Sequence, residues 1–347
     1  MQVITNPHRA GQKLAPSAPY PSTDAARVAD LLAQCPVAKE TPMVDAGKLA
    51  PVSQLWVKDE RARMNLGSFK ALGAAYVIAR HAAERSSEPD EQTLAGTTYV
   101  TASAGNHGMS VAAGARIFGA KAVVYISETV PETFAERLKG QKAEVVRSGA
   151  DYAASMEAAR TAADENGWIL LSDSSWDGYF DLPWTLMEGY LQMAAEAVRQ
   201  CPKVPTHILL QAGVGGLAGA VAAYARKTWG DAPKIVVVEP EAAPALQASI
   251  AAGECVFADG PDSIMGRLDC KEPSLIALNG LARDADLFLT LSDDDVAAKL
   301  DAMAKIGLAT TASGGAGLAA VMNETARNAM GIAEHSRVLC FLSEIAE

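Results

Sequence analysis

The sequence predicts an α/β protein built on parallel sheets that helices cover on both faces. Short runs of apolar, largely β-branched residues alternate along the chain with alanine-rich stretches of helical periodicity. The apolar runs show no polar alternation, which is typical of strands buried on both faces. With 347 residues, the chain is long enough for about two domains of ordinary size.

The predicted elements follow one another in a regular order. The strands are predicted at 55–57, 97–101, 122–126, 143–147, 168–171, 207–211, 235–238, 287–291 and 338–342. The helices between them include 69–80, 107–118, 152–166 and 217–227. The first fifty residues are rich in Pro and Ala, and we expect them to wrap around the rest with one helix near 25–33.

A polar segment at 85–92, which contains a proline, is predicted to be a linker. We therefore expect a large discontinuous domain formed by residues 1–92 and 180–347. A small domain would occupy residues 93–179 between its two parts.

Composition and charge exclude several classes of protein. Thirty basic against 41 acidic residues give a formal charge of −11, which argues against nucleic-acid binding. No run reaches the roughly 18 apolar residues that span a bilayer, and the N-terminus lacks the pattern of a secretory signal. The five cysteines form no C-x-x-C, and the five histidines are scattered. We expect a cytoplasmic protein without membrane contact and without a metal site.

A glycine-rich loop follows the predicted strand 207–211. It consists of Gly213, Val214, Gly215, Gly216 and Leu217, and a helix of small residues follows it. Such a turn brings backbone N–H groups to an anion at a helix N-terminus. The spacing matches neither the dinucleotide motif G-x-G-x-x-G nor the nucleotide motif that ends in G-K-[S/T]. The loop therefore favours a single phosphate group, and the alternative is a tight turn kept for packing.

Lys70 is a candidate nucleophile. It follows Ser68, a plausible N-cap, and so lies in the first turn of an apolar helix. Burial and a helix N-terminus both lower the pKa of a lysine, which favours a reactive amine. The alternative is a surface lysine whose ammonium reaches solvent.

A second anion-binding turn follows the strand 97–101. It reads Ser103, Ala104, Gly105, Asn106 and His107, and its exposed N–H groups suit a carboxylate. The amide of Asn106 can hydrogen-bond a ring hydroxyl or an oxyanion. His107 is either a catalytic base or a structural part of the turn.

The order of these segments, completed by Ser313 in the glycine-rich stretch 312–317, resembles that of fold-type-II pyridoxal-phosphate enzymes, the tryptophan-synthase-β-like group. The resemblance covers roughly residues 40–345. It implies two parallel-rich, three-layer α/β domains with pyridoxal 5'-phosphate in the cleft between them. The large domain would bind the cofactor and the small domain the substrate. Relatives are commonly dimers, so a homodimer is expected.

The resemblance also implies roles for individual residues. Lys70 would bind the cofactor covalently and move the proton at the substrate Cα. The backbone amides of Gly213, Val214, Gly215, Gly216 and Leu217 would bind the cofactor phosphate. Asn106 would bond the 3-hydroxyl, and Ser313 would contact the pyridine nitrogen, although Ser313 could also be an N-cap in its glycine turn. Ser103, Ala104, Gly105 and His107 would hold the substrate carboxylate.

Three further segments resemble those of diaminopropionate ammonia-lyases: 63–73 around Lys70, 172–179 with Asp173 and Trp176, and 268–274 with Cys270. The resemblance implies α,β-elimination from a small β-substituted L-amino acid, with 2,3-diaminopropionate giving pyruvate and two ammonia. Asp173 would bind or protonate the β-amino leaving group. Those lyases carry Asp at the position of Ala104, where it acts on the D-isomer, so we expect the L-isomer to be the substrate.

Arg267 has two possible roles. Its planar guanidinium could bind a second substrate carboxylate, or it could pair with Asp269 within its loop.

Several other functions are alternatives to the lyase. A serine/threonine or 3-hydroxyaspartate dehydratase would use the same site residues. A racemase would need a base opposite Lys70, for which Ser103 is the nearby candidate, and a β-replacement synthase fits the segment of Asp173 less well. The non-enzyme alternative is a protein that binds a phosphorylated metabolite.

Overall fold

A computed structural model describes residues 1–346 of the chain. The strands are β1 Val3–Thr5, β2 Met43–Asp45, β3 Gln54–Asp59, β4 Thr98–Ala102, β5 Lys121–Ile126, β6 Glu144–Arg147, β7 Ile169–Leu170, β8 His207–Gln211, β9 Lys234–Pro240, β10 Leu287–Leu291 and β11 Arg337–Leu342. The nine predicted strands correspond to β3–β11.

The helices run between and after these strands. They are α1 Ala25–Leu32, α2 Ala74–Arg85, α3 Asn106–Ile117, α4 Glu132–Gly140, α5 Tyr152–Asn166, α6 Asp181–Gly189, α7 Leu191–Gln200, α8 Gly216–Trp229, α9 Ala245–Ala252, α10 Leu275–Asp284, α11 Asp293–Lys305, α12 Ala312–Met322 and α13 Glu324–Met330. Among residues 1–346, no helix is both long and apolar enough to cross a membrane.

The larger sheet has seven strands in the order β1-β10-β9-β8-β11-β3-β2. Its inner pairs are parallel, as predicted, but both edge strands are antiparallel. The sequence did not indicate β1 and β2, because each has only three half-exposed or exposed residues. Their strand geometry comes from pairing with an existing sheet edge, for example Val3 with Leu289.

The smaller sheet has four parallel strands in the order β6-β5-β4-β7, and its residues all come from the stretch 98–170. This stretch is inserted in the chain between β3 and β8 of the larger sheet. Both sheets confirm the α/β class. The domain boundaries at 92 and 180 stay a prediction.

The helix predicted at 69–80 is interrupted. A short 3₁₀ helix covers Phe69–Leu72, and α2 begins only at Ala74. The break falls at Gly73, where a Cβ atom would lie 2.9 Å from the ring and hydroxyl of Tyr190. A single helix was therefore the wrong prediction, because close packing against Tyr190 bends the chain at the glycine.

Four fully buried charges, which we call the core charge network, fix the segment before Lys70. The network consists of Lys58, Glu60, Arg63 and Glu196, and all four side chains have zero exposure. The guanidinium of Arg63 donates to both glutamates at 2.6–2.9 Å. Lys58 Nζ lies 2.7 Å from Glu196 Oε2. Although burial opposes it, pairing with Arg63 and Lys58 lowers the pKa of Glu196 to about 2.

Candidate active site

The predicted site residues meet in a cleft at the carboxyl ends of strands from both sheets. Asn106 follows β4, Asp173 follows β7, and the glycine loop follows β8. Lys70 joins them because its segment pairs with the residues just after β11, where Phe69 N donates to Ser343 O at 3.0 Å. In open α/β sheets, the carboxyl ends of the strands are the usual position for a ligand.

Lys70 and Asp173 form an ion pair, with Lys70 Nζ 2.5 Å from Asp173 Oδ2. Burial disfavours both charges, but each partner stabilises the other more strongly. Asp173 therefore holds the pKa of Lys70 above its usual range, and Lys70 holds the pKa of Asp173 below its usual range. The expectation of a lowered lysine pKa was wrong for this state, because a carboxylate from the other sheet lies against the amine.

His107 is buried in the second anion-binding turn. Its Nε2 donates to the carbonyl of Leu171 at 2.8 Å and so ties α3 to the end of β7. Burial lowers the pKa of His107, which favours the neutral ring. With Nε2 as donor, Nδ1 is an acceptor, and it has no hydrogen-bond partner within the described part of the chain.

Ser103 stabilises the same turn. Its Oγ accepts the N–H of Gly105 at 3.2 Å and of Gly108 at 3.1 Å. The first residue of α3 is Asn106, whose Nδ2 donates to Glu344 Oε2 at 2.5 Å. Ala104 adds no titratable group opposite Lys70.

Glu344 is a site residue that the sequence analysis missed. Its buried carboxylate accepts hydrogen bonds from Asn106, from the hydroxyl of Thr311, and from Arg267 Nη1 at 3.1 Å. It thereby joins α3 of the smaller sheet to elements of the larger one. The available signal was its position: an acidic residue two positions after the apolar strand 338–342 lies at the carboxyl end of that strand.

Arg267 does not pair with Asp269, so that expectation was wrong. Asp269 lies 2.6 Å from Lys271 Nζ, while the guanidinium of Arg267 points toward Glu344 and the second turn. A Cβ atom at Gly105 would lie 3.9 Å from Arg267 Nε. The long side chain of Arg267 reaches across the cleft, where Glu344 supplies the countercharge.

The glycine loop leaves the N-terminus of α8 open to an anion. Gly215, at φ +98°, precedes Gly216, and no side chain caps the helix. At Gly213, a Cβ atom would lie 2.9 Å from Cys270 Sγ, so a larger residue would collide with the loop that carries Cys270. Uncapped N–H groups in a turn without side chains fit a phosphate group.

Ser313 lies in the first turn of α12, but it is not the N-cap that was considered. Thr311 caps the helix by accepting the N–H of Gly314 at 2.9 Å. Ser313 Oγ instead accepts the backbone N–H of Arg267 at 3.1 Å. The hydroxyl keeps its own proton as a donor, which suits a neutral ring nitrogen.

Tyr190, which joins α6 to α7, is a second site residue that the sequence analysis missed. The ring centroid lies 5.9 Å from Lys70 Nζ and 4.9 Å from the ring of Phe69. On its other side, a Cβ atom at Gly216 would lie 3.4 Å from the ring. Tyr190 therefore lies between the amine and the glycine loop. No signal in the sequence distinguishes it from a core tyrosine.

The donor set fits pyridoxal phosphate. A primary amine, an uncapped helix N-terminus and a serine hydroxyl line one cleft. The same cleft has a buried acceptor on His107 that finds no partner in the part of the chain that the structure describes. These are the groups that an aldehyde, a phosphate and a pyridine ring require.

Comparisons with known proteins agree with this donor set. The family described as "Pyridoxal-phosphate dependent enzyme" matches residues 36–344. Diaminopropionate ammonia-lyase of Salmonella typhimurium is 33% identical over 270 residues, which is 72% of this chain and 66% of that protein. The human L-serine dehydratase/L-threonine deaminase is 28% identical over 270 residues, covering 77% of this chain and 76% of that protein. The chain thus spans just under two thirds of the length of the bacterial relative.

The solved structures of diaminopropionate ammonia-lyase from Escherichia coli share the fold. The complex with D-serine superposes with a TM-score of 0.88 at 26% identity, covering 99% of this chain and 93% of that chain. The complex with an aminoacrylate-PLP azomethine reaction intermediate gives a TM-score of 0.87 at 26% identity and the same coverage. The fold and the cofactor expected from the motifs are confirmed, and the chain belongs to the fold-type-II family of pyridoxal-phosphate-dependent enzymes.

Proposed function

We propose that this protein is an ammonia-lyase that converts L-2,3-diaminopropionate to pyruvate and two ammonia. The observation that carries the proposal is the ion pair of Lys70 and Asp173, which joins a base and an anionic group in one cleft. The similarity to named diaminopropionate ammonia-lyases supports it. The homodimer and the cytoplasmic location stay predictions.

The cofactor would be held by the residues that the motifs indicated. Lys70 would bind it covalently, the loop 213–217 would bind its phosphate, and Asn106 and Ser313 would contact the ring. The bound cofactor supplies an electron sink that stabilises negative charge at Cα. A serine hydroxyl next to the ring nitrogen donates a hydrogen bond without adding a proton, which favours early loss of a β-substituent over long storage of that charge.

Proton transfer at Cα would fall to Lys70. Its free amine would remove the Cα proton of the L-isomer. The turn from Ser103 to His107 holds the substrate carboxylate through the backbone amides of Ala104, Asn106 and His107, since those of Ser103 and Gly105 already donate within the protein. The His107 ring stays neutral. Because Ala104 carries no acid or base, the opposite face of the substrate lacks a group to remove the proton of the D-isomer.

Asp173 would bind the β-ammonium group of the substrate. The carboxylate then exchanges one cationic partner, Lys70, for another, the β-ammonium group. Its negative charge keeps the β-nitrogen protonated. The Cβ–N bond breaks with both electrons going to nitrogen, so neutral ammonia leaves. The released enamine hydrolyses to pyruvate and the second ammonia.

Turnover of a substrate panel tests the proposal. The purified protein is incubated with L- and D-2,3-diaminopropionate, L-serine, L-threonine and the 3-hydroxyaspartates, and oxo acid and ammonia are measured. We expect two ammonia for each pyruvate from L-diaminopropionate, with little turnover of the rest. Oxo acid from the hydroxy amino acids alone would instead assign the protein to the dehydratases.

Asp173→Asn tests the role of the carboxylate. Since a neutral amide cannot hold the β-ammonium group, kcat/KM for L-diaminopropionate should fall by about 10²–10³-fold. Any residual activity on L-serine should fall less. Asp177→Asn is the matched control, because this nearby carboxylate is exposed and contacts Ser17. An equal loss on both substrates would mean that Asp173 acts only on Lys70.

A further inference from the structure

The mechanism above gives the hydroxyl of Tyr190 no role in binding or catalysis. The side chain is 1% exposed, and within residues 1–346 its oxygen has no hydrogen-bond partner. An unpaired buried hydroxyl is costly, since it has given up its hydrogen bonds to water. Phenylalanine would fill the same space without this cost, so packing alone does not explain a tyrosine here.

Three close approaches fix the position of this ring. Gly73 leaves no room for a side chain against the ring, a Cβ atom at Gly216 would be in ordinary contact with it at 3.4 Å, and Phe69 packs at a tilt of 57°. Behind it, a Cβ atom at Gly189 would lie 2.1 Å from Leu72 O, so the end of α6 is pressed against the 3₁₀ helix of Lys70. The ring cannot move without moving the lysine segment. Its hydroxyl is therefore held at a constant place relative to the Lys70 side chain.

The chemistry of the phenol suits an amine partner. Burial raises the pKa of Tyr190 to about 12, so the group stays protonated and neutral across the physiological range. Its oxygen can then accept an N–H from a nearby amine. In the structure, the shortest contact of Lys70 Nζ is with Asp173, at 2.5 Å, while the nearby charge of Lys70 also acts on the phenol and lowers its pKa against the effect of burial.

We propose that Tyr190 is a positioning residue, whose phenol oxygen accepts an N–H of the Lys70 nitrogen once that nitrogen has left Asp173, both in the cofactor-loaded protein and when a substrate occupies Asp173. The accepted hydrogen bond fixes the rotation of the amine and leaves its lone pair directed into the cleft. It also stabilises the protonated nitrogen of Lys70. Only the kinetic part of this inference, the change in kcat, rests on the proposed function.

Tyr190→Phe tests this inference with three measurements. The melting temperature of the cofactor-free protein should stay unchanged or rise by up to about 2 °C, because the substitution removes an unpaired hydroxyl. In the cofactor-loaded protein without substrate, the pH midpoint of the visible absorption change should move down by at least about 0.5. On L-diaminopropionate, kcat should fall about 10–100-fold, with KM within about threefold.

Tyr76→Phe is the matched control. Tyr76 is equally buried, but its hydroxyl donates to Glu188 at 2.9 Å, away from the cleft. This control should lower the melting temperature and leave both the absorption midpoint and kcat unchanged.

A Tyr190→Phe protein whose absorption midpoint equals that of the wild type would overturn the inference. It would do so whether kcat is unchanged or falls together with the melting temperature. The absorption and melting measurements need no substrate. They therefore decide the question even if the protein does not act on diaminopropionate, which would show as an inactive wild type.

Discussion

Two groups of buried charges in this molecule differ in how completely their partners are supplied. In the core charge network, Arg63 and Glu196 each make several hydrogen bonds, and all four side chains are fully buried. The pair of Lys70 and Asp173 is joined by one short contact, and the two side chains keep 22% and 19% exposure. Near the pair lie two buried polar atoms, on His107 and Tyr190, that have no hydrogen-bond partner among residues 1–346.

This difference distinguishes charges that stabilise the fold from charges that can take part in a reaction. A charge whose hydrogen bonds are all satisfied within the protein has no capacity left for a ligand, and removing its partner leaves a buried charge uncompensated. A charge with a single partner, next to polar atoms that still have hydrogen-bonding capacity, can exchange that partner for a substrate. The first arrangement holds the lysine segment in place, and the second leaves the lysine free to react.

Lys70→Ala should have the largest effect on activity. We expect kcat to fall by more than about 10³-fold, because both covalent attachment of the cofactor and the base are lost. Stability at pH 7 should change by only about 1 kcal/mol, since Asp173 remains partly hydrated. Steady-state kinetics and denaturant unfolding measure the two effects. Near-full activity would refute the role of Lys70.

The same variant gives the pH dependence of the pair. Asp173 has a lowered pKa in the folded protein, so the pair stabilises the fold above the unfolded carboxyl value of about 4. This contribution is lost as the pH falls through the lower folded value. The stability difference between the cofactor-free wild type and Lys70→Ala should therefore be constant from about pH 4 to about pH 10. It should shrink below this window as Asp173 is protonated and above it as Lys70, whose pKa is raised in the fold, loses its proton.

Glu196→Gln should have the largest effect on stability. It leaves Lys58 and Arg63 with Glu60 as the remaining carboxylate of the network, and we expect a loss of about 3–5 kcal/mol. The kcat of the folded fraction should stay within about threefold. The matched control is Glu132→Gln, whose partners Lys139 and Arg147 are at the surface, and it should leave the free energy of unfolding nearly unchanged. A fall in the kcat of the folded fraction beyond this range would mean that the network also acts on the reaction.

Arg267→Ala should have the smallest effect, because Arg267 combines features of both groups. Its guanidinium has a countercharge in Glu344, yet it reaches the second anion-binding turn. If Arg267 also binds a distal substrate carboxylate, KM for 3-hydroxyaspartate should rise up to about 10-fold, while KM for L-diaminopropionate stays within about threefold. Equal KM changes across the substrates would remove that hypothesis.

The sequence allowed prediction of those parts of the molecule that depend on local pattern. Buried parallel strands such as β8 and β10 are continuous apolar runs, so their bounds matched. The glycine loop was found because a turn before a helix has a local chemical signature. Glu344, Tyr190 and the break at Gly73 escaped because their positions depend on partners more than a hundred residues away. Likewise, the partner of Arg267 could not be inferred from its own loop.

The strand order of the larger sheet has a consequence for how the protein is made. Its inner strand β11 lies between β8 and β3 and consists of residues 337–342. On the ribosome, the smaller sheet can assemble early from residues 98–170, whereas β3 cannot pair with β11 until residue 342 has been made. Glu344 follows two residues later. A nascent chain shorter than this would expose the edges of β3 and β8 and lack one wall of the candidate site, so the joining of β8 to β3 and the completion of that site coincide.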